Sequence, residues 1–213
     1  MAYTYSRKNV TLAQILEKTV FYIYKIFSFR KAKINVREKI EKILIIEPFG
    51  LGDVASLSVM IGPLKNTFPE SSIYILTKSG NENIYDFDKR VKIIISEFPW
   101  TDYSKRWSLK MYFNLLVDIF RIRKLRICIG IDPRGDIRSQ VILLLIGCRE
   151  RLGYNNYMNS NITTRGLLLT QTAEKPESEH RYDWNLNLLN YLNVENIYPV
   201  KFPSIDVSSI NPG

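Results

Sequence analysis

The sequence predicts an α/β protein built on a Rossmann-like parallel sheet with helices on both faces. From residue 42 onward, short apolar segments of strand length alternate with longer segments of helical length. This alternation is typical of parallel sheets whose strands are buried between two layers of helices. The chain has 213 residues, 46% of them hydrophobic, which is enough apolar material for a packed core.

Hydrophobic periodicity, turn residues and helix caps divide this part of the chain into elements. The predicted strands are 43–47, 72–77, 91–96, 126–131 and a short last strand at 149–155. The predicted helices are 54–68, 107–124, 137–146, which Asp136 caps, and 182–192. The polar composition of residues 170–180 predicts a solvated connection. We therefore expect a Rossmann-like domain at 42–197 and the start of an interdomain linker at 198–213.

The rarer residues argue against several kinds of site. Cys128 and Cys148 lie in apolar surroundings without a Cys-x-x-Cys spacing, so the sequence predicts neither a disulfide nor a zinc site and favours a reducing cytoplasm. A single histidine, His180, excludes a multi-histidine metal centre. Asp86 and Asp88 imitate an Asp-x-Asp metal motif, but they precede a strand and two cations follow them directly. We expect no bound metal ion.

Most of the positive charge lies in a basic amphipathic N-terminal extension, residues 1–41. Residues 1–42 contain ten Lys and Arg and three Glu, which is +7 of the chain's net +9. Residues 11–30 place apolar side chains on one helical stripe, namely Leu12, Leu16, Val20, Ile23 and Phe27. Two interpretations stay open: a helix packed on the body of the protein, or a helix at 11–33 on an anionic membrane surface. The second predicts a cytoplasmic protein held on the inner face of the cytoplasmic membrane.

Two charged, glycine-containing loops are candidates for a ligand site. The first loop, 48–53, follows the first strand, and the second loop, 132–136, has the sequence DPRGD. Because ligands bind at the carboxyl ends of the strands in such sheets, we expect the two loops to bring Asp53 and Arg134 to one edge. A carboxylate at a helix start suits a cap as well as a well-placed base. Gly50 and Gly52 allow the backbone to approach a bulky ligand.

The first loop also imitates a dinucleotide-binding fingerprint. Gly50, Gly52 and Ala55 give the spacing Gly-x-Gly-x-x-Ala. However, Asp53 stands at the helix start, where the pyrophosphate of a dinucleotide would bind. The second strand ends in Thr-Lys, without the acidic residue that would bind the ribose hydroxyls. A dinucleotide-dependent oxidoreductase is therefore a distant alternative, and we expect no cofactor.

Three segments carry a resemblance to a known family. Residues 42–77 read KILIIEPFGLGDVASLSVMIGPLKNTFPESSIYILT, with Gly-Asp at the helix start and a proline inside the helix. Residues 125–155 read LRICIGIDPRGDIRSQVILLLIGCRERLGYN, with an Asp-x-Arg-Gly loop, and residues 179–189 read EHRYDWNLNLL. In these segments the chain resembles glycosyltransferase family 9, the ADP-heptose:lipopolysaccharide heptosyltransferases.

The resemblance implies a GT-B enzyme, in which two Rossmann-like domains face each other across a cleft. This chain matches only the first, which binds the acceptor, a lipid-linked core oligosaccharide. The implied reaction is inverting and metal-independent, and its donor is ADP-heptose or a similar nucleotide-sugar. Asp53 then corresponds to the general base, and Gly50 and Gly52 give the acceptor room. Asp132 and Arg134 shape the second loop, where Arg134 binds a sugar hydroxyl or phosphate.

The resemblance also implies acceptor-binding cations after the third strand, where Lys105 and Arg106 stand. The alternative is an exposed helix start with ordinary basic residues. Because the donor-binding domain is not in this chain, a non-catalytic acceptor-binding remnant is the alternative to a catalytic unit. Nucleic acid is not an expected partner, since the chain beyond residue 42 carries only the remaining positive charge of +2.

Overall fold

The computed structural model describes residue 15 and residues 17–23, 40–86, 88–101, 108–155, 166–178 and 180–194. Six strands form one sheet: β1 (Lys42–Ile46), β2 (Ser72–Thr77), β3 (Val91–Ile95), β4 (Ile129–Asp132), β5 (Glu150–Tyr154) and β6 (Gln171–Ala173). Every pairing is parallel, and the strand order is β3-β2-β1-β4-β5-β6. This is the strand order of the Rossmann fold, with the point of reversal between β1 and β4. The predicted fold class is confirmed.

The first strand lies at the centre of the sheet. Ile43 pairs with Ile73 of β2 on one side and with Ile129 of β4 on the other. The side chains of residues 43–46 have no exposed surface. A continuous apolar run is what a strand covered on both faces requires, and it places the residues that follow β1 in the middle of the carboxyl edge.

Helices cover both faces of the sheet. They are α1 (Leu51–Ser56), α2 (Ser58–Thr67), α3 (Leu109–Arg123), α4 (Ile137–Ile146) and α5 (Arg181–Asn190). On one face, Ile43 and Ile45 pack with residues of α1, α2 and α5. On the other face, Leu44 and Ile46 pack with residues of α3 and α4. The two hydrophobic clusters hold the strand edges, and therefore the loops that follow them, in fixed positions.

The helix after β1 differs from its prediction. The sequence predicts one helix over 54–68, whereas the structure has α1 and α2, which meet at Leu57. The N–H of Leu57 donates to the carbonyl of Val54 in a tighter, three-residue turn. Helical structure begins three residues earlier than predicted because Gly50 is extended and serves as the N-cap. Asp53 therefore lies inside the first turn of α1 instead of before it.

The prediction that 149–155 is the last strand is wrong. Residues Gln171–Ala173, predicted as part of a polar connection, form β6 and pair with β5 from Leu152 to Tyr154. The hydroxyl of Thr170 accepts the N–H of Arg151 and helps to fix this edge. A three-residue strand at a sheet edge is too short to show a period of two, so the polar composition of the segment hid it.

The described part of the N-terminal extension is helical from residue 17 to residue 23. Glu17 is buried, and its carboxylate accepts the N–H of Leu167 at 3.0 Å, so this turn is bonded to the body of the protein. Tyr22 and Ile23 are exposed. Most of 11–33, and all of the predicted linker at 198–213, lie outside the described residues. Across the described ranges, no helix combines the length and apolar character that crossing a bilayer requires.

Candidate functional site

The two predicted loops lie side by side at the carboxyl edge of the sheet. The first loop follows β1, and the second loop begins at Asp132, the last residue of β4. Since β1 and β4 are hydrogen-bonded neighbours, the loops leave the sheet next to each other at the topological switch point. This is the position where open α/β sheets bind their ligands.

Asp53 lies at the mouth of this site. It is the third residue of α1, and its Oδ2 accepts the backbone N–H of Gly50 at 3.3 Å. The side chain is 28% exposed. The N–H of Gly50 therefore orients the carboxylate, which is still open to solvent on one side.

Arg134 bridges the two loops. Its Nη2 lies 2.5 Å from Oδ1 of Asp53, and its Nε donates to Oε1 of Glu47 at 2.8 Å. The guanidinium also stacks over the ring of Phe49, 4.2 Å from the centroid. Only 13% of the Arg134 side chain is exposed. Arg134 is thus held in one orientation by two carboxylates and an aromatic face.

Glu47 is a fully buried carboxylate between two guanidinium groups. Besides Arg134, it contacts Arg181 at the start of α5, whose Nη2 lies 3.5 Å from Oε2. Arg181 also donates to the carbonyl of Pro133 in the second loop at 3.5 Å. Burial raises the pKa of Glu47, and the charges of Arg134 and Arg181 oppose that shift. The four charged groups of the site, Glu47, Asp53, Arg134 and Arg181, balance one another.

Asp132 lies beneath the second loop and does not reach solvent. Its Oδ1 accepts the backbone N–H of Arg134 at 3.1 Å, and its Oδ2 faces Nε2 of Gln140 at 3.3 Å. Burial, together with the charge of Asp136, raises the pKa of Asp132 to about 8. At neutral pH this side chain is therefore mostly protonated. It shapes the loop from below, and its contacts are with the protein.

Of the other predicted site residues, the structure describes the two glycines and not the two cations. A Cβ on Gly52 would meet no atom within 4 Å, and one on Gly50 would meet only Oδ2 of Asp53 at 3.7 Å. Both glycines therefore border open space beside Asp53. Lys105 and Arg106 lie outside the described residues. Within the described segments, no group of three or more His, Cys, Asp or Glu side chains is arranged to hold a metal ion.

Glu47 and Arg181 are members of the site that were not among the predicted site residues. Glu47 carried a signal, because it is a charged residue directly after four buried apolar positions and before the first loop. Such a residue at the end of a central strand faces the ligand edge of the sheet. Arg181 carried no comparable signal, because its contact with Glu47 spans 134 positions of sequence. Together they make the site a four-charge network instead of an isolated carboxylate and arginine.

Comparison with solved structures identifies the fold. A glycosyl transferase family 9 protein from Veillonella parvula superposes with a TM-score of 0.59 at 16% sequence identity, over 75% of this chain and 44% of that one. The E. coli heptosyltransferase WaaC, solved with ADP-2-deoxy-2-fluoro heptose, superposes with a TM-score of 0.60 at 12% sequence identity. The match covers 77% of this chain and 50% of the WaaC chain. The fold is that of the family 9 heptosyltransferases.

E. coli ADP-heptose lps heptosyltransferase II gives a TM-score of 0.57 at 15% identity, over 79% of this chain and 47% of its own. The chain thus spans about half the length of each of these three structures. No protein-family model and no curated protein sequence matches the chain. The resemblance seen in the sequence is confirmed at the level of the fold, and the roles of individual residues rest on the site itself.

Proposed function

We propose that this chain is the acceptor-binding half of an inverting, metal-independent glycosyltransferase of the heptosyltransferase type. The observation that carries the proposal is the carboxylate of Asp53, oriented by the N–H of Gly50 and open to solvent at the switch point of a heptosyltransferase-like sheet. A general base must lie within hydrogen-bond reach of the proton it removes. Asp53 meets this requirement for a hydroxyl that binds over Gly50 and Gly52.

In the proposed reaction, Asp53 accepts the proton of an acceptor hydroxyl. The hydroxyl oxygen forms a bond to C1 of the donor sugar while the bond from C1 to the diphosphate oxygen breaks. The leaving nucleoside diphosphate takes the electron pair, and attack from the opposite face inverts the anomeric carbon. The donor is ADP-heptose or a related nucleotide-sugar, held by a second domain that completes the GT-B arrangement.

Arg134 binds an anionic or hydroxyl group of the acceptor. Its Nη2 is paired with Oδ1 of Asp53, so an acceptor phosphate that binds the guanidinium competes with Asp53 for it. That competition leaves Oδ1 of Asp53 for the acceptor hydroxyl. Glu47 keeps Arg134 in place through Nε while Nη2 changes its partner. A lipopolysaccharide core oligosaccharide, which carries phosphates, fits this chemistry.

Replacement of the base tests the proposal. In the natural protein with its second domain, Asp53→Asn should lower transfer from ADP-heptose to a heptose-deficient core by about 10²- to 10⁴-fold, since general bases contribute that much. The measurement is the release of ADP under saturating donor, with circular dichroism to confirm folding. Asp86→Asn is the matched control, because Asp86 is an exposed carboxylate outside the site. Full activity of Asp53→Asn would remove Asp53 from its role.

Two alternatives have their own tests. A non-catalytic acceptor-binding remnant would bind the core oligosaccharide without any transfer from ADP-heptose, and the intact mass of the native protein would be near 24.9 kDa. A catalytic protein with a second domain would be larger by about the size of one domain. A dinucleotide-dependent oxidoreductase would bind NADH in a fluorescence titration, which a heptosyltransferase would not.

We also propose that the protein works at the inner face of the cytoplasmic membrane, where its lipid-linked acceptor is made. The basic charge of residues 11–33 supports attachment of this segment to anionic lipid. Co-sedimentation with anionic vesicles tests the contribution of the segment. A chain with Lys25, Arg30, Lys31 and Lys33 replaced by Gln should pellet less than the intact chain, and equal pelleting would contradict the attachment.

A further inference from the structure

Helix α3 exposes an apolar stripe to solvent. Leu109, Phe113 and Phe120 are 84%, 66% and 63% exposed, and Leu116 and Tyr112 are exposed beside them. The steps from Leu109 to Phe113, Leu116 and Phe120 are four, three and four residues, so these side chains form a continuous stripe along the helix. A contiguous stripe of this kind, in contrast to single exposed apolar residues, marks an interaction surface.

The stripe is separate from the face through which α3 packs on the protein. Leu115, Ile119 and Ile122 are buried in the hydrophobic cluster on that side of the sheet. Asp118 accepts the hydroxyl of Ser96 at 2.8 Å, and this bond further fixes the helix on the sheet. Among the described residues the core is therefore complete without the exposed stripe, and their packing does not explain why large apolar residues stand there.

The charged residues of α3 and of the turn that follows it are mostly positive, and the exposed Glu97 contacts α3 through Asn114. Between residues 109 and 126 the chain has five exposed cations, Lys110, Arg121, Arg123, Lys124 and Arg126. The only acid in this stretch is Asp118, which is mostly buried and pairs with Arg121 at 3.2 Å. Long basic side chains beside apolar and aromatic ones are characteristic of helices that lie in a membrane interface.

A basic pocket continues this surface at the end of α3. Arg123, Arg126 and Arg149 line it together with Gly147 and Glu41, over a volume of about 690 Å³. Arg123 donates to the carbonyl of Leu145 at 2.7 Å. Because three arginines and only one glutamate line this pocket, its charge favours the binding of anionic groups. The apolar stripe thus ends at a surface that suits the phosphates of lipid headgroups.

We propose that the exposed stripe of α3 and its basic flank dock onto the surface of an anionic lipid bilayer. The apolar and aromatic side chains enter the interface, while the five cations lie at headgroup level. A second copy of the chain is a poor fit, because contact between two such helices would bring two sets of five cations together. The surface is distinct from the site around Asp53 and from residues 11–33, so the proposal holds whether or not the chain transfers a sugar.

Vesicle sedimentation of the full chain tests this surface. The intact chain should pellet with vesicles of phosphatidylcholine and phosphatidylglycerol, and much less with phosphatidylcholine alone or at high salt. Phe113→Ser with Phe120→Ser should lower the partition coefficient by about 100-fold, about tenfold for each phenyl ring that no longer enters the interface. Lys110→Gln with Lys124→Gln should lower it by about 30-fold, since each basic residue near such a surface contributes about fivefold.

The controls separate this surface from general charge. Lys89→Gln with Lys175→Gln removes the same charge from two exposed positions outside α3 and should leave the partition coefficient within about twofold of the intact chain, since long-range charge is screened. Equal pelleting of the α3 variants and the intact chain would overturn the proposal. So would a dimer in light scattering that the Phe113 and Phe120 changes dissociate, because the stripe would then be an interface between copies. None of these measurements uses donor or acceptor sugar.

Discussion

The two loops of the site differ in how closely they pack against the rest of the protein. In the second loop, Arg134 is largely buried, and a Cβ on Gly135 would lie 2.8 Å from the carbonyl oxygen of Tyr154. Gly135 also has a φ of +71°, which side chains disfavour. In the first loop, Leu51 is 56% exposed and a Cβ on Gly52 would contact nothing. The protein around it fixes the second loop, whereas the first loop is held at Phe49 and faces open space only at Leu51 and Gly52.

This difference assigns them different tasks. The second loop is a support for the site, since its contacts with the protein fix the guanidinium of Arg134. The first loop is a surface, since Asp53 and the glycines leave room beside it for a ligand. Arg134 contacts the first loop directly, through Asp53 and the ring of Phe49. If the comparison is right, damage to the support should reduce stability as well as acceptor binding through Arg134, whereas damage to the surface should reduce acceptor binding without a loss of stability.

The largest effect of a single substitution at neutral pH is expected from the loss of Arg134. Arg134→Met leaves Glu47 buried with only Arg181 near it, at 3.5 Å, and an incompletely paired buried charge costs about 3 kcal/mol of the free energy of unfolding. Urea denaturation followed by circular dichroism measures the change. Arg138→Met is the matched control from the same region.

Arg138 also forms an ion pair, at 2.5 Å with Asp136, but its side chain is 28% exposed. The pair is local, and Asp136 still caps α4 through the backbone N–H of residue 138 after the change. Because partly exposed pairs contribute little, Arg138→Met should cost about 0.5 kcal/mol. Equal losses in the two variants would show that the second loop does not depend on its long-range pair.

The next effect is a pH dependence from Asp132. In the folded chain its pKa is raised from 3.8 to about 8, so the folded state keeps a proton that the unfolded state releases above about pH 4. Stability therefore falls as pH rises from about 4 to 8, by on the order of 1 kcal/mol per pH unit from this group alone. Asp132→Asn should remove that part of the slope. Parallel curves for the variant and the intact chain would contradict the assignment.

Local signals in the sequence predicted much of the fold. Helix α4 has its predicted bounds, because Asp136 caps its first turn and Gly147 ends it with a φ of +81°. Strand β2 also has its predicted bounds, since turn residues flank it on both sides. Strand β6 was missed because three residues at an edge, two of them polar, show no period, and pairing with β5 decides their structure. Elements fixed by their own residues were predictable, whereas those fixed by neighbours were not.

The residues of the site show the same contrast between those that local sequence predicts and those that long-range contacts bring in. Asp53 and Arg134 were predicted at one edge because each follows a central strand, and they are 2.5 Å apart in the structure. Glu47 and Arg181 depend on contacts across 87 and 134 positions of sequence. Nothing in a single sequence specifies that a buried carboxylate joins two arginines from different elements. The predicted pair, Asp53 and Arg134, therefore belongs to a larger network. Its other members, Glu47 and Arg181, come together with the pair only in the folded chain.

The smallest effect on stability should come from the open surface of the first loop. Gly52→Ala adds a methyl group in open space within α1, so it should stabilise the chain by about 0.5 kcal/mol through helix propensity. If the acceptor lies over Gly52, the same methyl group should raise the KM for the acceptor by about five- to tenfold, with kcat little changed. Asn66→Ala is the matched control, because Asn66 is exposed in α2, away from the site, and its change to Ala also raises helix propensity. The control should gain similar stability and keep its KM. An unchanged acceptor KM in Gly52→Ala would mean that the first loop is open for a reason other than acceptor binding, and the division of tasks between the two loops would fail.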